Sequence, residues 1–270
     1  PAQARRPALP ASPPLALLSA LYGLVMGRAV TALAWRVPRG RSWARGRSAC
    51  PVCETPLGPL DLVPLLSFLL ARGRCRHCGA PIDARYPLTE LMCAAWAVLL
   101  LLEVGVAWVY LPLSLWGFLL IALLWIDLEF RLLPDALTLP GTLLGLAAAL
   151  LAPDWAAGAR HALLGIVAGS GLLWLLGWAW LTFRKVEGMG GGDVKLAAMF
   201  GAVLGWQLTL LALFVAALAG SLWGAVLMLR RRGGMRSELP FGTLLAPAAL
   251  VVFLWGRGWL DAYVRMLVGR

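Results

Sequence analysis

The chain has 270 residues, 61% of them hydrophobic and only 14% charged, with a formal net charge of +11. A soluble domain carries about 25% charged residues. Apolar runs of about 17 residues or more recur here too often for a globular core to bury, which excludes an ordinary soluble protein and leaves a polytopic one whose solvent is the lipid bilayer. The basic residues flank the apolar runs, where membrane topology already accounts for them, and no aromatic-plus-basic platform or helix-turn-helix accompanies them. The charge is therefore read as a topology signal, and no nucleic-acid partner is expected.

In chain order, residues 1–14 contain five prolines and are expected to form a flexible tail. Residues 15–35 form a first transmembrane helix. Its arginine cluster follows the apolar run instead of preceding it, which argues for a retained span over a cleaved signal peptide. Arg28 falls inside this span, about two turns from its end, where it is placed to snorkel. Residues 36–87 are the one substantial polar segment, rich in Arg, Gly, Pro and Cys, and read as a small domain outside the membrane. Residues 88–270 hold the remaining apolar runs, near 88–106, 108–128, 136–152, 160–183, 194–206, 207–229 and 241–256. The expected fold is all-α, a bundle of about eight transmembrane helices. In an alternating eight-span arrangement 17 of the 24 basic residues lie on one side, including nine arginines of segment 36–87. The positive-inside rule makes that side cytoplasmic.

Four cysteines form Cys50-Pro-Val-Cys53 and Cys75-Arg-His-Cys78. Paired CxxC knuckles suit a tetrahedral zinc ion, because each tight turn aims two thiolates at one centre. A segment this short has too little core to fold alone, so a metal staple makes physical sense. Two disulfides are the alternative, opposed by a reducing cytoplasmic compartment. A closed four-cysteine site leaves no open coordination position, so the zinc is expected to be structural. His77 is read as a surface residue and Cys93 as a small core residue.

Asp127 closes the apolar run Leu-Leu-Trp-Ile-Asp, and Asp193 follows Gly188-Met-Gly-Gly-Gly192 and opens the next run. Both fall at the cytoplasmic edge of the bilayer in the alternating arrangement. Singly, each has a structural reading: Asp127 as an i+4 partner of Arg131, and Asp193 as an anion at a helix N-terminus. Together, on one face and beside a glycine run, they form a candidate acid–base pair. Two adjacent carboxylates share a proton near neutral pH. The ionised one would deprotonate a water, and the protonated one would polarise the scissile carbonyl and protonate the leaving amine.

These residues resemble the type IV prepilin peptidases, membrane aspartic proteases with a GxGD motif. The resemblance runs from Gly27 to about Pro247 through blocks in the family's order: Cys50 to Cys53, Asp61-Leu-Val-Pro-Leu-Leu-Ser67, Arg72 to Cys78, Arg85-Tyr-Pro-Leu-Thr-Glu90, Asp127 with Leu133-Pro-Asp135, Gly188 to Lys195, and Leu239-Pro-Phe-Gly242. It implies cleavage of the short basic leader of prepilins and pseudopilins after a glycine. It also implies N-methylation of the new terminus with S-adenosylmethionine, in an inner-membrane enzyme of pilus or secretion systems. Carried over, Asp127 and Asp193 are the catalytic pair and the four cysteines the zinc ligands. Gly190, Gly192, Asp135, Glu129 and Lys195 face the substrate, with Glu187 and Glu238 on the same side. Two positions depart from the family pattern: its Gly-Ser-Phe-x-Asn stretch reads Gly27-Arg-Ala-Val-Thr31, and Thr243 stands where Pro is common.

A transporter is the competing class, but transporters hold their ionisable residues near the bilayer midplane, and here the acids gather at one edge. A zinc-bearing scaffold without chemistry leaves the Gly-Asp block unexplained.

Overall fold

A computed structural model describes residues 12–42, 49–50, 52–151, 158–185, 190–229 and 241–269. Every regular element among them is helical, with two isolated β-bridges and no strand. The chain divides into two compact units, one spanning residues 5–110 and the other beginning at Leu111. Among the described residues six helices are long and apolar enough to cross a membrane, against the eight apolar runs read from the sequence. The run near 136–152 falls in the shorter apolar helix Asp135–Leu151, and the runs 194–206 and 207–229 fall in one continuous element, Gly191–Leu229.

The first unit contains α1 (Pro13–Arg36), α2 (Leu66–Leu70) and α3 (Arg85–Val104), with short 3-10 turns at Val37–Arg39 and Pro59–Leu62. Pro13 and Pro14 open α1, where the ring's fixed φ suits the first turn and the missing N–H costs nothing. Gly40, at φ 65°, turns the chain away after the helix. The α1–α3 contact is made at backbone distance through Gly23 and Gly27, one helical turn apart. A Cβ on Gly23 would lie 2.5 Å from Ala94 Cα, and one on Gly27 would lie 2.6 Å from Glu90 Cα. In lipid no hydrophobic force separates helices from acyl chains, so association rests on such close packing. Cys93 is fully buried in this seam.

The second unit contains α4 (Tyr110–Phe130), α5 (Asp135–Leu151), α6 (Gly158–Arg184), α7 (Gly191–Leu229) and α8 (Gly242–Val268). Leu113, Trp116, Leu120, Leu123 and Ile126 of α4 are all fully buried. The Trp116 indole N–H donates to Met199 O at 3.2 Å, and its ring tilts against Phe253 at 5.8 Å. One side chain therefore ties α4 to both α7 and α8.

The helix α7 is not one rod. Gly205 has φ 69° and ψ 173°, outside helical space. A Cβ on Gly169 of α6 would meet Thr209 Cγ2 at 2.7 Å and Ala197 O at 2.9 Å. Residues twelve apart on a straight helix are separated by about 18 Å, so the two halves must double back at Gly205. A glycine is required at this turn, since an L side chain rarely adopts that φ and His161 fills the space beside it. The two apolar runs read from the sequence on either side of position 206 are these two arms. The second arm then pairs with α8, with Gly256 against Leu208 and Gly220 against Leu244. The reversal returns the chain, so the starts of α5, α7 and α8 and the end of α4 gather at one end of this unit.

Candidate active site and metal centre

The two cysteine knuckles are built alike. In the first, Cys50 N donates to Thr55 O at 3.0 Å and Glu54 N to Cys50 O at 2.9 Å. In the second, Cys75 N donates to Ala80 O at 2.8 Å and Gly79 N to Cys75 O at 2.9 Å. Each second cysteine is followed by a residue at positive φ, Glu54 at 54° and Gly79 at 72°. The four Sγ atoms lie within 4.8 Å of one another, and Cys50 and Cys78 are 3.9 Å apart. A tetrahedron of sulfurs around zinc has edges of about 3.8 Å, so the donor set fits one such ion.

The thiols share protons as a group. The Thr55 hydroxyl, and then its backbone, hold Cys53 down at about 6. The Cys78 and His77 backbones hold Cys75 below its ordinary value. The Ala80 backbone favours the Cys78 thiolate, yet desolvation and the three neighbouring thiols push that group up to about 11. A cation that replaces the shared protons relieves this crowding. His77 is exposed, as expected of a residue outside the ligand set.

Asp61 links this segment to the helices of its unit. Its carboxylate accepts from Gly58 N at 3.1 Å and lies 3.4 Å from Arg76 Nε of the second knuckle. Its backbone oxygen accepts from Arg28 at 2.9 Å. Arg28 does not snorkel to a free surface. Its guanidinium also donates to Ser67 Oγ at 2.7 Å and pairs with Glu90 at 3.0 Å. The reason is Glu90 on the facing helix, a buried carboxylate that would otherwise lack a counter-charge.

At the gathered end of the second unit, Asp127 lies in the last turn of α4, only 5% exposed. Its Oδ2 accepts two hydrogen bonds, from Thr243 N at 2.6 Å and from Thr243 Oγ1 at 2.9 Å. Asp193 lies half-buried in the first turn of α7, its N–H donating to Gly190 O at 3.1 Å, and within electrostatic reach of Asp127. Leu133 sits between the elements. A Cβ on Gly192 would meet Leu133 Cβ at 2.9 Å, and one on Gly242 would meet Asp127 Oδ2 at 2.9 Å and Leu133 Cδ1 at 3.0 Å. Glycine at 192 thus makes room for Leu133, and glycine at 242 for Leu133 and the Asp127 carboxylate. A Cβ on Gly190 would lie 3.8 Å from Asp193 Oδ2, at ordinary contact distance.

Asp135 opens α5 and is exposed. Lys195 Nζ donates to both of its carboxylate oxygens, at 2.6 and 2.8 Å, joining the first turns of α5 and α7. Glu129 is exposed on the last turn of α4. Glu187, Glu238, Gly188 and Met189 lie outside the described residues, as do residues 1–11 of the tail. The sequence reading takes the departure at Thr243 as one that does not touch the carboxylate pair, and the structure corrects it, because both Thr243 donors meet Asp127. The signal available was its departure from Pro, which restores an N–H and adds a hydroxyl at a helix start.

Residues 21–104 match the family model described as Bacterial Peptidase A24 N-terminal domain, and residues 113–225 match the Type IV leader peptidase family. The chain is 44% identical over 210 residues to a prepilin leader peptidase/N-methyltransferase of Aeromonas hydrophila, covering 78% of this chain and 72% of that one. It is 34% identical over 251 residues to the protein of the same name from Bacillus subtilis strain 168, covering 92% and 98%. It is 35% identical over 273 residues to that of Pseudomonas aeruginosa, covering 91% and 93%. No solved structure matches the chain. With both halves matched in order and relatives covered nearly end to end, the chain belongs to the type IV leader peptidase family.

Proposed function

We propose that this protein is a membrane aspartic endopeptidase that removes the basic leader of prepilins and pseudopilins after a glycine, and that it also N-methylates the new terminus. The observation that carries the first activity is the buried Asp127 carboxylate, anchored at the gathered helix ends within electrostatic reach of Asp193. The relatives' name, prepilin leader peptidase/N-methyltransferase, supports both activities. S-adenosylmethionine is the co-substrate of the second.

The pair carries one proton between two carboxylates. The ionised member takes a proton from a water, whose oxygen attacks the scissile carbonyl carbon. The protonated member gives its proton to the carbonyl oxygen, so no full oxyanion develops. On collapse the C–N bond breaks, and the proton that the first member took from water passes to the amine nitrogen, in place of the carbonyl-facing member expected from the sequence, whose proton has gone to the carbonyl oxygen. The second recovers its proton from a diol hydroxyl, which restores the starting state. Gly192 and Gly242 let Leu133 and the Asp127 carboxylate pack against the backbone at distances that a Cβ would forbid, which holds the elements of the site close together. We place this end of the unit at the cytoplasmic face, because the basic residues concentrate on that side of the alternating arrangement.

Cys50, Cys53, Cys75 and Cys78 are the proposed ligands of one zinc ion, which would supply a structural cross-link to a segment with little core of its own. Glu129, Asp135 and Lys195 line the rim near the pair. The test is purified protein in proteoliposomes with a peptide bearing a basic leader, a glycine and an apolar stretch. The reading requires one cut after the glycine, with both products matched by mass. No cut, or a cut elsewhere, counts against it, and transport without cleavage would favour the competing class.

A further inference from the structure

We propose that Thr243 is a positioning residue that fixes Asp127 as the ionised, water-activating member of the pair, by donating two hydrogen bonds to one carboxylate oxygen. The inference rests on the peptidase reading above and divides the labour within it.

The geometry is asymmetric. Thr243 N and Oγ1 both reach Asp127 Oδ2, at 2.6 and 2.9 Å. Among the described residues none donates a hydrogen bond to the Asp193 side chain. Donors aimed at a carboxylate favour its charged form, whereas a carboxyl without donors in a half-buried site favours the neutral form. A pair that shares one proton therefore keeps it on Asp193 and leaves Asp127 as the base. With Oδ2 engaged twice, the proton from water goes to Oδ1. Asp193 then holds the hydroxyl that meets the substrate carbonyl.

The backbone half of this contact follows from the fold. Thr243 lies in the first turn of α8, where N–H groups have no partner within the helix. The carboxylate of α4 supplies the acceptor and ties the end of one helix to the start of another. The hydroxyl half is particular to this residue type. The type IV prepilin peptidases commonly carry Pro at this position, and Pro offers neither donor. Among the described residues the other charged groups facing Asp127 are Asp193 at the head of α7 and Arg131 just after α4. Both stay in place in the variants below, so a change can be assigned to Thr243.

The experiment compares wild type, Thr243→Val and Thr243→Ser by the pH dependence of kcat/KM on the leader peptide. Val keeps the size and the backbone donor and removes the hydroxyl. We expect Thr243→Val to lower kcat/KM about tenfold at neutral pH and to move the acidic limb upward by about one pH unit, since one charge-assisted hydrogen bond is lost. That limb belongs to the coupled pair. Thr243→Ser should restore both rate and limb. A Val variant with the wild-type profile overturns the proposal. So does one whose rate drops at every pH with the limb unmoved, since that is what a packing defect gives. A second readout needs no cleavage: the infrared carbonyl band that Asp127→Asn deletes should titrate at higher pH in Thr243→Val than in wild type. An intact protein that cuts nothing defeats the peptidase reading, while the band still decides the assignment of Thr243.

Discussion

Arg28 of α1 and Glu90 of α3 form an ion pair at 3.0 Å whose acidic partner is nearly sealed from solvent, its side chain 5% exposed. The second Glu90 oxygen accepts from Leu65 N at 2.6 Å, which holds Leu65 at a φ of 57° that a leucine rarely adopts. Arg28 meanwhile grips the backbone at Asp61 and Val63. The pair is thus a clamp that seats the segment 61–67 on the α1–α3 helices.

Removing one partner of this clamp should cost more than removing both. Arg28→Met leaves a buried carboxylate unpaired and should destabilise the first unit by about 3 kcal/mol. The double variant Arg28→Met with Glu90→Leu should lose less than the sum of the single variants. Thermal unfolding in detergent, followed through the near-ultraviolet signal, checks this. Strict additivity would mean that the two groups do not act together.

The cysteines make a separate prediction. Replacing any one of Cys50, Cys53, Cys75 or Cys78 with Ser should release one zinc per chain and open the segment to protease, because the ion's binding energy is folding energy for so small a region. Glu54→Gly should have the opposite sign. It places glycine where the first knuckle holds a positive φ, as Gly79 already does in the second, and should improve metal retention slightly. Elemental analysis with limited proteolysis reads both.

Gly242 should be intolerant of even one methyl group. Its Cβ would press on Asp127 Oδ2 at 2.9 Å and on Asp127 Cγ at 3.0 Å. Displacing a reacting group by about 1 Å costs about 100-fold, so Gly242→Ala should cut the leader peptide about 100-fold more slowly while remaining folded. Gly192→Ala should be milder for cleavage, because the atoms it meets belong to Leu133 and not to a reacting carboxylate, although Leu133 Cβ at 2.9 Å can give way only with its backbone. Equal effects would argue that crowding at Asp127 is not the cause.

The ion pair between Lys195 and Asp135 should matter little. Both groups are about half exposed, and exposed pairs contribute about 0–1 kcal/mol. Asp135→Asn should leave cleavage within several-fold. KM for a basic leader should also stay close to wild type, since Lys195 already neutralises that carboxylate. A large rise in KM would instead make Asp135 a direct contact of the leader.

Much of this architecture was legible in the sequence because membrane helices announce themselves by length and apolarity. The division of the apolar stretch near 206 was readable in the same way, and the structure explains it by the reversal at Gly205. The cysteine knuckles were legible because ligand spacing is local. Contacts between distant elements were not. Thr243 and Asp127 are 116 residues apart, and no local pattern tells a helix start which carboxylate it will meet. Arg28 was assigned to the membrane interface because its acidic partner lies on another helix. Gly23 and Gly27 carried a visible four-residue spacing, yet only the structure identifies α3 as the surface they fit.

The central claim is that Asp127 and Asp193 perform the proton transfers of peptide cleavage. Asn in place of either keeps size and most hydrogen bonding but cannot exchange a proton. The decisive measurement is the single-turnover rate of leader-peptide cleavage by Asp127→Asn and Asp193→Asn at matched amounts of folded protein. Acid–base terms contribute about 100- to 10,000-fold each, and the two groups act as a unit, so each variant should lose at least about 1,000-fold. Near-normal cutting by either one would contradict the assignment.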